Sequence, residues 1–219
     1  MIIGRDDPQF RVLVRLSFRY FGLACRLAVD ARNEGEKADV SPPAGAVVLS
    51  VAALEAFVNE EADAAAYGTL VDKAAAIEIA LKEREFPDRW NTLVRAMANV
   101  GFPRGSRPFQ GFGRLHELRN AIVHYRPHFL VPGALPDTKR GRILSHLRHD
   151  YPLRDGPKMA PWTYRYLSPG CAAWACRTAR DMVKAHFDLV GQPGVWAHQY
   201  APMWPLPPEL EARSAKSPK

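Results

Sequence analysis

The stretch Leu115–Arg126, which reads LHELRNAIVHYR, has apolar residues at helical spacing and is followed directly by Pro127. At 3.6 residues per turn, positions i, i+3, i+7 and i+10 form one stripe on a helix. The apolar residues at these positions are Leu115, Leu118, Ile122 and Tyr125. We therefore predict a helix that packs this stripe against a core and ends at the proline.

The polar residues of the predicted helix lie on a different ridge. His116, Asn120 and His124 are each four residues apart and so lie on one side of it. Arg119 and His124 are separated by roughly 140° around the axis, so the arginine can reach toward this ridge but cannot lie over it. This geometry suggests a site that a second surface completes. His116 either lines that site or is an exposed polar residue.

The run LRNAIVHY, residues 118–125, resembles the Arg-Asn-x-x-x-His signature of HEPN domains. These are compact helical bundles found in many prokaryotic ribonucleases, toxin–antitoxin toxins and phage-defence proteins. A second stretch, SVAALEAFVNEEAD at Ser50–Asp63, resembles a helix that the family places earlier in the bundle. The resemblance implies an all-α fold, and we expect an up-and-down bundle of about five helices. Residues between Pro127 and Pro169 match no part of the family pattern.

The resemblance also implies a function. In HEPN ribonucleases two subunits pack their motif helices together, and paired Arg and His residues form one cleft. By motif position, Arg119 would bind and polarise a phosphate, His124 would be the general acid or base, and Asn120 would hold the histidine or the phosphate. The implied protein is a metal-independent endoribonuclease that leaves 2′,3′-cyclic phosphate and 5′-hydroxyl ends. Its expected partners are RNA, a second copy bound through the motif helix and, for a toxin, an antitoxin or regulatory protein.

The residue types of the motif suit this chemistry. Cleaving RNA without a metal needs a base for the 2′-hydroxyl, an acid for the leaving 5′-oxygen and a fixed cation beside the phosphoryl oxygens. Histidine supplies the first two and arginine the third. The alternative is a non-catalytic HEPN-like module that binds nucleic acid or a nucleotide, or acts as a scaffold. Such modules commonly lack the Arg or the His, so the presence of both favours an enzyme. In a third interpretation, Arg119 and His124 are only an ion-paired or capped helix end.

Three further residues are candidates for support of the motif. Glu55 borders an apolar stripe, where an unpaired charge is costly. It is either a rim carboxylate paired with a lysine or arginine or, as the resemblance suggests, the group that orients Arg119 or His124. Some HEPN toxins have Arg-x4-His-x-Tyr, with a tyrosine that their antitoxin modifies. Here that position is Arg126, a candidate for a second phosphate contact, and the tyrosine is the preceding residue, Tyr125.

The composition is that of a folded chain with an anionic partner. The 219 residues carry 30 Lys and Arg against 23 Asp and Glu, a formal net charge of +7. This excess favours nucleic acid over a membrane. We find no signal peptide and no uninterrupted apolar run of roughly 20 residues, so we expect a soluble cytoplasmic protein.

No cofactor or metal is expected. The three cysteines, Cys25, Cys171 and Cys176, have no metal-type spacing, which favours reduced cytosolic thiols. His124 and His128 have the spacing of a helical metal pair, but Pro127 lies between them and should end the helix.

Turn residues and apolar periodicity predict the other elements. Trp90 is either a core anchor or a base-stacking residue, and Gly101–Gly113 is predicted to be a loop. A loop through Ser41-Pro42-Pro43 is predicted to end the first helix, which runs from Asp7-Pro8 to Asn33–Gly35. The remaining predicted helices are a second at Ala44–Tyr67, a third segment at Thr69–Arg84 and Asp88–Val100 broken at Phe86-Pro87, and a last at Cys171–Val190. The last helix begins at the cap-and-proline pair Ser168-Pro169 and has Ala172, Ala179 and Met182 among its inward positions.

The predicted domain, residues 1–191, contains an irregular basic insertion at 126–167, where prolines exclude a long helix. Its basic residues alternate with or precede aromatic ones, a pattern that suits single-stranded RNA. The alternative is a surface segment held to the bundle by its aromatics. The candidate RNA-binding residues are Lys139, Arg140, Arg142 and Arg148. Residues 192–219 form a proline-rich tail, in which Trp196 and Trp204 would clasp the bundle or a twin subunit and Glu209 onward would be disordered.

Overall fold

The protein is built from helices. The computed structural model describes residues 15–35, 39–67, 70–124, 141, 145–155 and 160–211. These residues contain helices and turns and no β-strand, so the predicted all-α class is confirmed. The helices are α1 (Ser17–Glu34), α2 (Ser41–Tyr67), α3 (Ala74–Leu81), α4 (Phe86–Ala98), α5 (Arg107–Val123), α6 (Trp162–Tyr166), α7 (Pro169–Leu189), α8 (Pro193–Val195) and α9 (Pro208–Glu211). A 3₁₀ turn, Val71–Lys73, precedes α3, and a π-helical turn, Trp196–Tyr200, follows α8.

The core forms around α2, which packs against α1, α5 and α7. Phe57 of α2 is completely buried and lies at the centre of an aromatic cluster. Its ring centroid is 5.2–6.1 Å from those of Trp90, His186, Phe187, Tyr200 and Trp204. Trp90 is therefore a core anchor, as one of the two sequence interpretations proposed.

Prolines begin three helices in places where the sequence predicted a loop or a break. Pro42 and Pro43 lie in the first turn of α2, Pro87 in that of α4 and Pro108 in that of α5. A first-turn N–H has no partner within its helix, so proline is tolerated there. The predicted loop at Gly101–Gly113 is consequently too long.

The glycines of α5 do not interrupt it. Gly111 faces α7, where an added Cβ would lie 3.3 Å from Cγ2 of Thr178. This position allows the close approach of the two helices that hold the motif in place, since only a residue without a side chain leaves that space.

The start of α1 depends on a residue far away in sequence. Glu60 of α2 accepts hydrogen bonds from the backbone N–H of Leu16 at 2.6 Å, from that of Ser17 at 3.0 Å and from the Ser17 hydroxyl at 2.7 Å. Arg15 and Leu16 are not helical, so the prediction of one helix running on from Asp7-Pro8 is wrong at these residues. Asp7 and Pro8 themselves lie outside the described residues.

Residues 193–211, which we call the C-terminal strap, cross the bundle and are packed against it. Trp204 is completely buried and stacks on Phe21 of α1 with ring centroids 4.5 Å apart. Leu210 is also completely buried, and its carbonyl accepts a hydrogen bond from Arg177 at 2.7 Å. The sequence predicted disorder from Glu209 onward, whereas Glu209–Glu211 belong to α9. Residues 212–219 lie outside the described part of the chain.

One helix has the composition of a possible membrane span. The stretch Ser41–Ala66 of α2 is 26 residues long with a mean hydropathy of 1.5, although it has polar interruptions such as Ser50 and Glu55. Half of it is buried inside the bundle, and core helices of soluble proteins meet the same criterion. The sequence prediction concerned uninterrupted apolar runs of roughly 20 residues, and the polar residues of Ser41–Ala66 leave it unchanged.

Candidate functional site

Arg119 and Glu55 meet where α5 packs against α2. Nη2 of Arg119 lies 3.7 Å from Oε1 of Glu55, and the two side chains are 26% and 35% exposed. Nη1 of Arg119 donates to Oδ1 of Asn120 at 2.9 Å. The arginine is therefore held from two sides, and the structure brings together three of the residues that the sequence analysis selected.

Hydrogen bonding around Arg119 is incomplete among the described residues. Its Nε is buried and has no hydrogen-bond partner among the described residues. A guanidinium that contacts an amide oxygen through one terminal nitrogen and a carboxylate through the other retains N–H groups that can bind a further acceptor.

His124 lies at the end of the helix. Its φ and ψ of −100° and 41° are not helical, and its backbone N–H bonds to the Asn120 carbonyl at 3.0 Å, so α5 ends at Val123. The prediction that the helix continues to Arg126 is wrong at this residue. The imidazole is exposed and forms no hydrogen bond or ion pair with the rest of the described chain. Tyr125 and Arg126 lie outside the described residues.

His116 is part of the core. It is 8% exposed and its ring centroid lies 5.9 Å from that of Phe86 and 6.4 Å from that of Phe112. The prediction of an exposed polar residue is wrong because α4 begins at Phe86 and covers this face of α5. Burial lowers the pKa of His116, and the nearby charge of Arg119 lowers it further, while Glu117 and Glu55 oppose the shift.

The basic insertion is described in part. Lys139, Arg140 and Arg142 lie outside the described residues. Arg148 is exposed and its Nε donates to Nε2 of His149 at 3.3 Å. The RNA-binding assignments of these residues remain predictions.

Three of the four aromatic residues that the sequence placed in or after the basic run are buried: Tyr151, Trp162 and Tyr166. The Tyr151 ring packs against Trp174 of α7 at 5.3 Å. This part of the segment is thus held to the bundle by its aromatics, in agreement with the structural alternative. Tyr164 differs, because it is only half-buried and the Arg154 guanidinium lies 4.9 Å from its ring centre.

Two arginines in the first half of α5, Arg107 and Arg114, were not selected from the sequence as candidate functional residues. Arg114 binds Asp150 through two contacts, with Nε 2.8 Å from Oδ2 and Nη2 donating to Oδ1 at 3.0 Å. The two residues are 36 positions apart. The sequence could not pair Arg114 with Asp150. Gly101–Gly113 was assigned to a loop, so it was not known which residues of α5 face the segment that contains Asp150.

Cysteines and other ligand-type residues form no metal site in the part of the chain that the structure describes. No group of three His, Cys, Asp or Glu side chains there is close enough to hold an ion. Cys25, Cys171 and Cys176 are all buried, and burial raises the pKa of Cys171 to about 12. These thiols therefore pack in the core.

Comparison with known proteins identifies no relative. No protein-family model matches the chain, and neither a curated protein nor a solved structure has significant similarity to it. The motif, its surroundings and the chemistry that they permit are therefore the basis for assigning a function.

Proposed function

We propose that the protein is a cytoplasmic, metal-independent endoribonuclease of the HEPN type, active as a homodimer. The observation that carries the proposal is the arrangement at the end of α5, where Arg119 is held by Glu55 and Asn120 while the His124 imidazole is exposed and has no partner among the described residues. The resemblance of LRNAIVHY to the HEPN motif extends this to a toxin–antitoxin or phage-defence role and to an up-and-down bundle of about five helices.

The roles follow from the chemistry of each group. Arg119 places a permanent positive charge beside the phosphoryl oxygens, where negative charge grows in the transition state. His124 takes the proton from the 2′-hydroxyl as its oxygen attacks phosphorus, and a second histidine protonates the departing 5′-oxygen. Glu55 and Asn120 fix the guanidinium so that little reorganisation is needed when RNA binds. The expected ends are a 2′,3′-cyclic phosphate and a 5′-hydroxyl.

A second subunit would supply the second arginine and histidine. The Nε of Arg119 that lacks a partner in the described chain supports a site that one subunit leaves unfinished.

The experiment is cleavage of a single-stranded RNA by the wild type and by His124→Ala and Arg119→Ala. Both variants should lose cleavage and keep the fold, because neither side chain is in the apolar core. Activity should survive EDTA, and one 2′-deoxy nucleotide should block cleavage at its position. His198→Ala, a change of an exposed histidine outside α5, is the matched control and should keep full activity.

Mixing the wild type with an excess of an inactive variant tests the composite site. A mixed dimer of wild type and Arg119→Ala/His124→Ala contains one arginine and one histidine instead of two of each, so the activity per wild-type subunit should fall on subunit exchange. Undiminished activity in proven mixed dimers, or full activity in a strictly monomeric wild type, would contradict the shared cleft.

The second candidate is a non-catalytic module that binds nucleic acid. The observation in its favour is the ion pair with Glu55, which partly neutralises the charge that Arg119 would offer to a phosphate. A wild type that binds many RNAs without ever shortening them, with or without divalent metal, would favour this module. Metal-dependent cleavage that ignores the 2′-hydroxyl would instead show that Arg119 and His124 were wrongly assigned.

A further inference from the structure

Several cationic side chains surround one carboxylate near the beginning of α5. Arg114 binds Asp150 through both of its oxygens. Burial raises the pKa of Asp150, and Arg114, Arg107 and His149 oppose that shift because they lie close to it. Since Arg114 already neutralises the carboxylate, the guanidinium of Arg107 leaves an excess of positive charge on this surface.

The turn at residues 148–150, which follows Leu147, is part of this charged surface and is held in place by its neighbours. Leu147 is completely buried and Tyr151 is 4% exposed, so both sides of the turn are anchored in the core. The Ser168 hydroxyl donates to the Pro152 carbonyl at 2.9 Å, which joins the turn to the beginning of α7. Arg148, which donates to His149, is therefore presented to solvent by an ordered backbone rather than by a loose loop.

Helix α6 adds a further arginine to the same region. Burial raises the pKa of Tyr166, and the charges of both Arg165 and Arg148 oppose the shift, so these two arginines share one neighbourhood. Arg165 is exposed, and its carbonyl accepts the backbone N–H of Arg154 at 2.9 Å. Among the described residues, no carboxylate forms an ion pair with Arg107, Arg148 or Arg165.

We infer that Arg107, Arg148, His149 and Arg165, together called the distal basic surface, bind the phosphates of single-stranded RNA. The identity of the ligand rests on the proposed function, whereas the location rests on the contacts above. Arginine forks match phosphate oxygens, and arginines that form no ion pair with a described carboxylate are suited to a polyanion. Half-buried Tyr164 on α6 offers a ring on which an unpaired base can stack, which favours a single strand.

Arg107, one member of the distal basic surface, is remote from the motif. Arg107 and Val123 are the two ends of α5, so about 24 Å of helix separates Arg107 from Val123, the residue before His124. Arg107 can therefore hold a strand without touching the reacting phosphate. We expect the distal basic surface to contribute to affinity and to the length of RNA that the protein needs.

The test is the salt dependence of binding to a single-stranded 2′-O-methyl RNA oligonucleotide, which the proposed reaction cannot cut. Wild type and Arg107→Gln/Arg148→Gln are compared by fluorescence anisotropy between about 50 and 200 mM salt. Loss of two phosphate contacts should reduce the slope of log K against log salt by about 1.4. The matched control is Arg19→Gln/Arg26→Gln, which removes two exposed arginines of α1 and should keep the wild-type slope.

An unchanged slope in the Arg107→Gln/Arg148→Gln protein, or an equal fall in the control, overturns the inference. So does loss of binding to phosphatidylserine vesicles with an unaltered RNA slope, which would assign the surface to a membrane. Cleavage of ordinary RNA is followed with the same proteins to separate the two proposals. If the wild type never cleaves RNA but the slope still falls as expected, the catalytic proposal fails and the distal basic surface stands.

Discussion

Helix α2 carries two Arg–Glu pairs that are alike in distance and different in surroundings. Glu61 lies 3.8 Å from Arg15, and Glu55 lies 3.7 Å from Arg119. The Glu61 side chain is only 10% exposed, and the Tyr200 hydroxyl donates to it. The Glu55 side chain is 35% exposed, and its arginine turns toward Asn120 at the surface.

The difference separates a structural pair from a candidate functional pair. The Arg15–Glu61 pair is closed by the C-terminal strap, because Tyr200 contacts both partners. The Glu55–Arg119 pair is left partly exposed in the last part of α5, with the Arg119 Nε lacking a partner in the described chain. A group that is completed within the chain stabilises the fold, whereas one that is incomplete is available to a ligand or a second subunit.

The largest expected effect on stability comes from the C-terminal strap, which closes the Arg15–Glu61 pair. Trp204→Ala removes a completely buried ring that stacks on Phe21, and should lower the free energy of unfolding by about 3–5 kcal/mol. Urea denaturation measures the change. Ile79→Ala, at a side chain 63% exposed, is the control and should stay within about 0.5 kcal/mol of wild type. A loss no greater than the control's would mean that the strap is not part of the cooperative fold.

The second effect is a dependence of stability on pH. Burial raises the pKa of Glu61, while Tyr200 and Arg15 oppose the shift. The folded state therefore binds the Glu61 proton more tightly than the unfolded state does. The resulting stabilisation is complete below the ordinary pKa of the group and is lost as the pH rises through the folded-state pKa.

The pH effect is measured as the unfolding free energy of the wild type minus that of Glu61→Gln, between about pH 4 and pH 7. We expect this difference to decrease with rising pH. Tyr200→Phe removes one opposing group, so in that background the decrease should extend to higher pH. A difference that increases with pH would show that the ion pair with Arg15 outweighs burial.

The smallest effect on stability is expected at the partly exposed Glu55–Arg119 pair. Glu55→Gln should change the free energy of unfolding by less than about 1 kcal/mol, because the pair is partly exposed and screened by solvent. RNA cleavage should nevertheless fall, since Arg119 loses one of the two groups that hold it. Urea denaturation and single-turnover cleavage distinguish the two consequences. A large loss of stability with normal cleavage would place Glu55 with Glu61 among the structural residues.

Sequence patterns predicted the elements whose signals are local. Ser168-Pro169 was predicted to begin the last helix, and the Ser168 hydroxyl accepts the Cys171 N–H at 3.1 Å. The inward-facing positions of α7, including Ala172, Ala179 and Met182, are buried as predicted. A cap and a 3.6-residue period are both properties of neighbouring residues, so no tertiary information was needed.

The errors occur where a distant residue decides the outcome. The start of α1 depends on Glu60, and the burial of His116 depends on Phe86. Trp204 was predicted to clasp the bundle or a twin subunit, and it packs on Phe21 of the bundle. The short helices of the strap were not predicted, because its prolines suggested that it contains no packed element. At the candidate site, the sequence selected Glu55, Arg119 and His124, but it could not show that the first two pair while the third stays apart.

The contacts of the strap also determine when the bundle can be completed during synthesis. Arg32 of α1 donates to the carbonyl of Glu209, a residue 177 positions later. While the ribosome is still making the middle of the chain, α1 has α2 to pack against but lacks the surface that covers Phe21. The apolar side of the nascent helix stays open until the strap has been made, so chaperone binding should be most extensive during that interval.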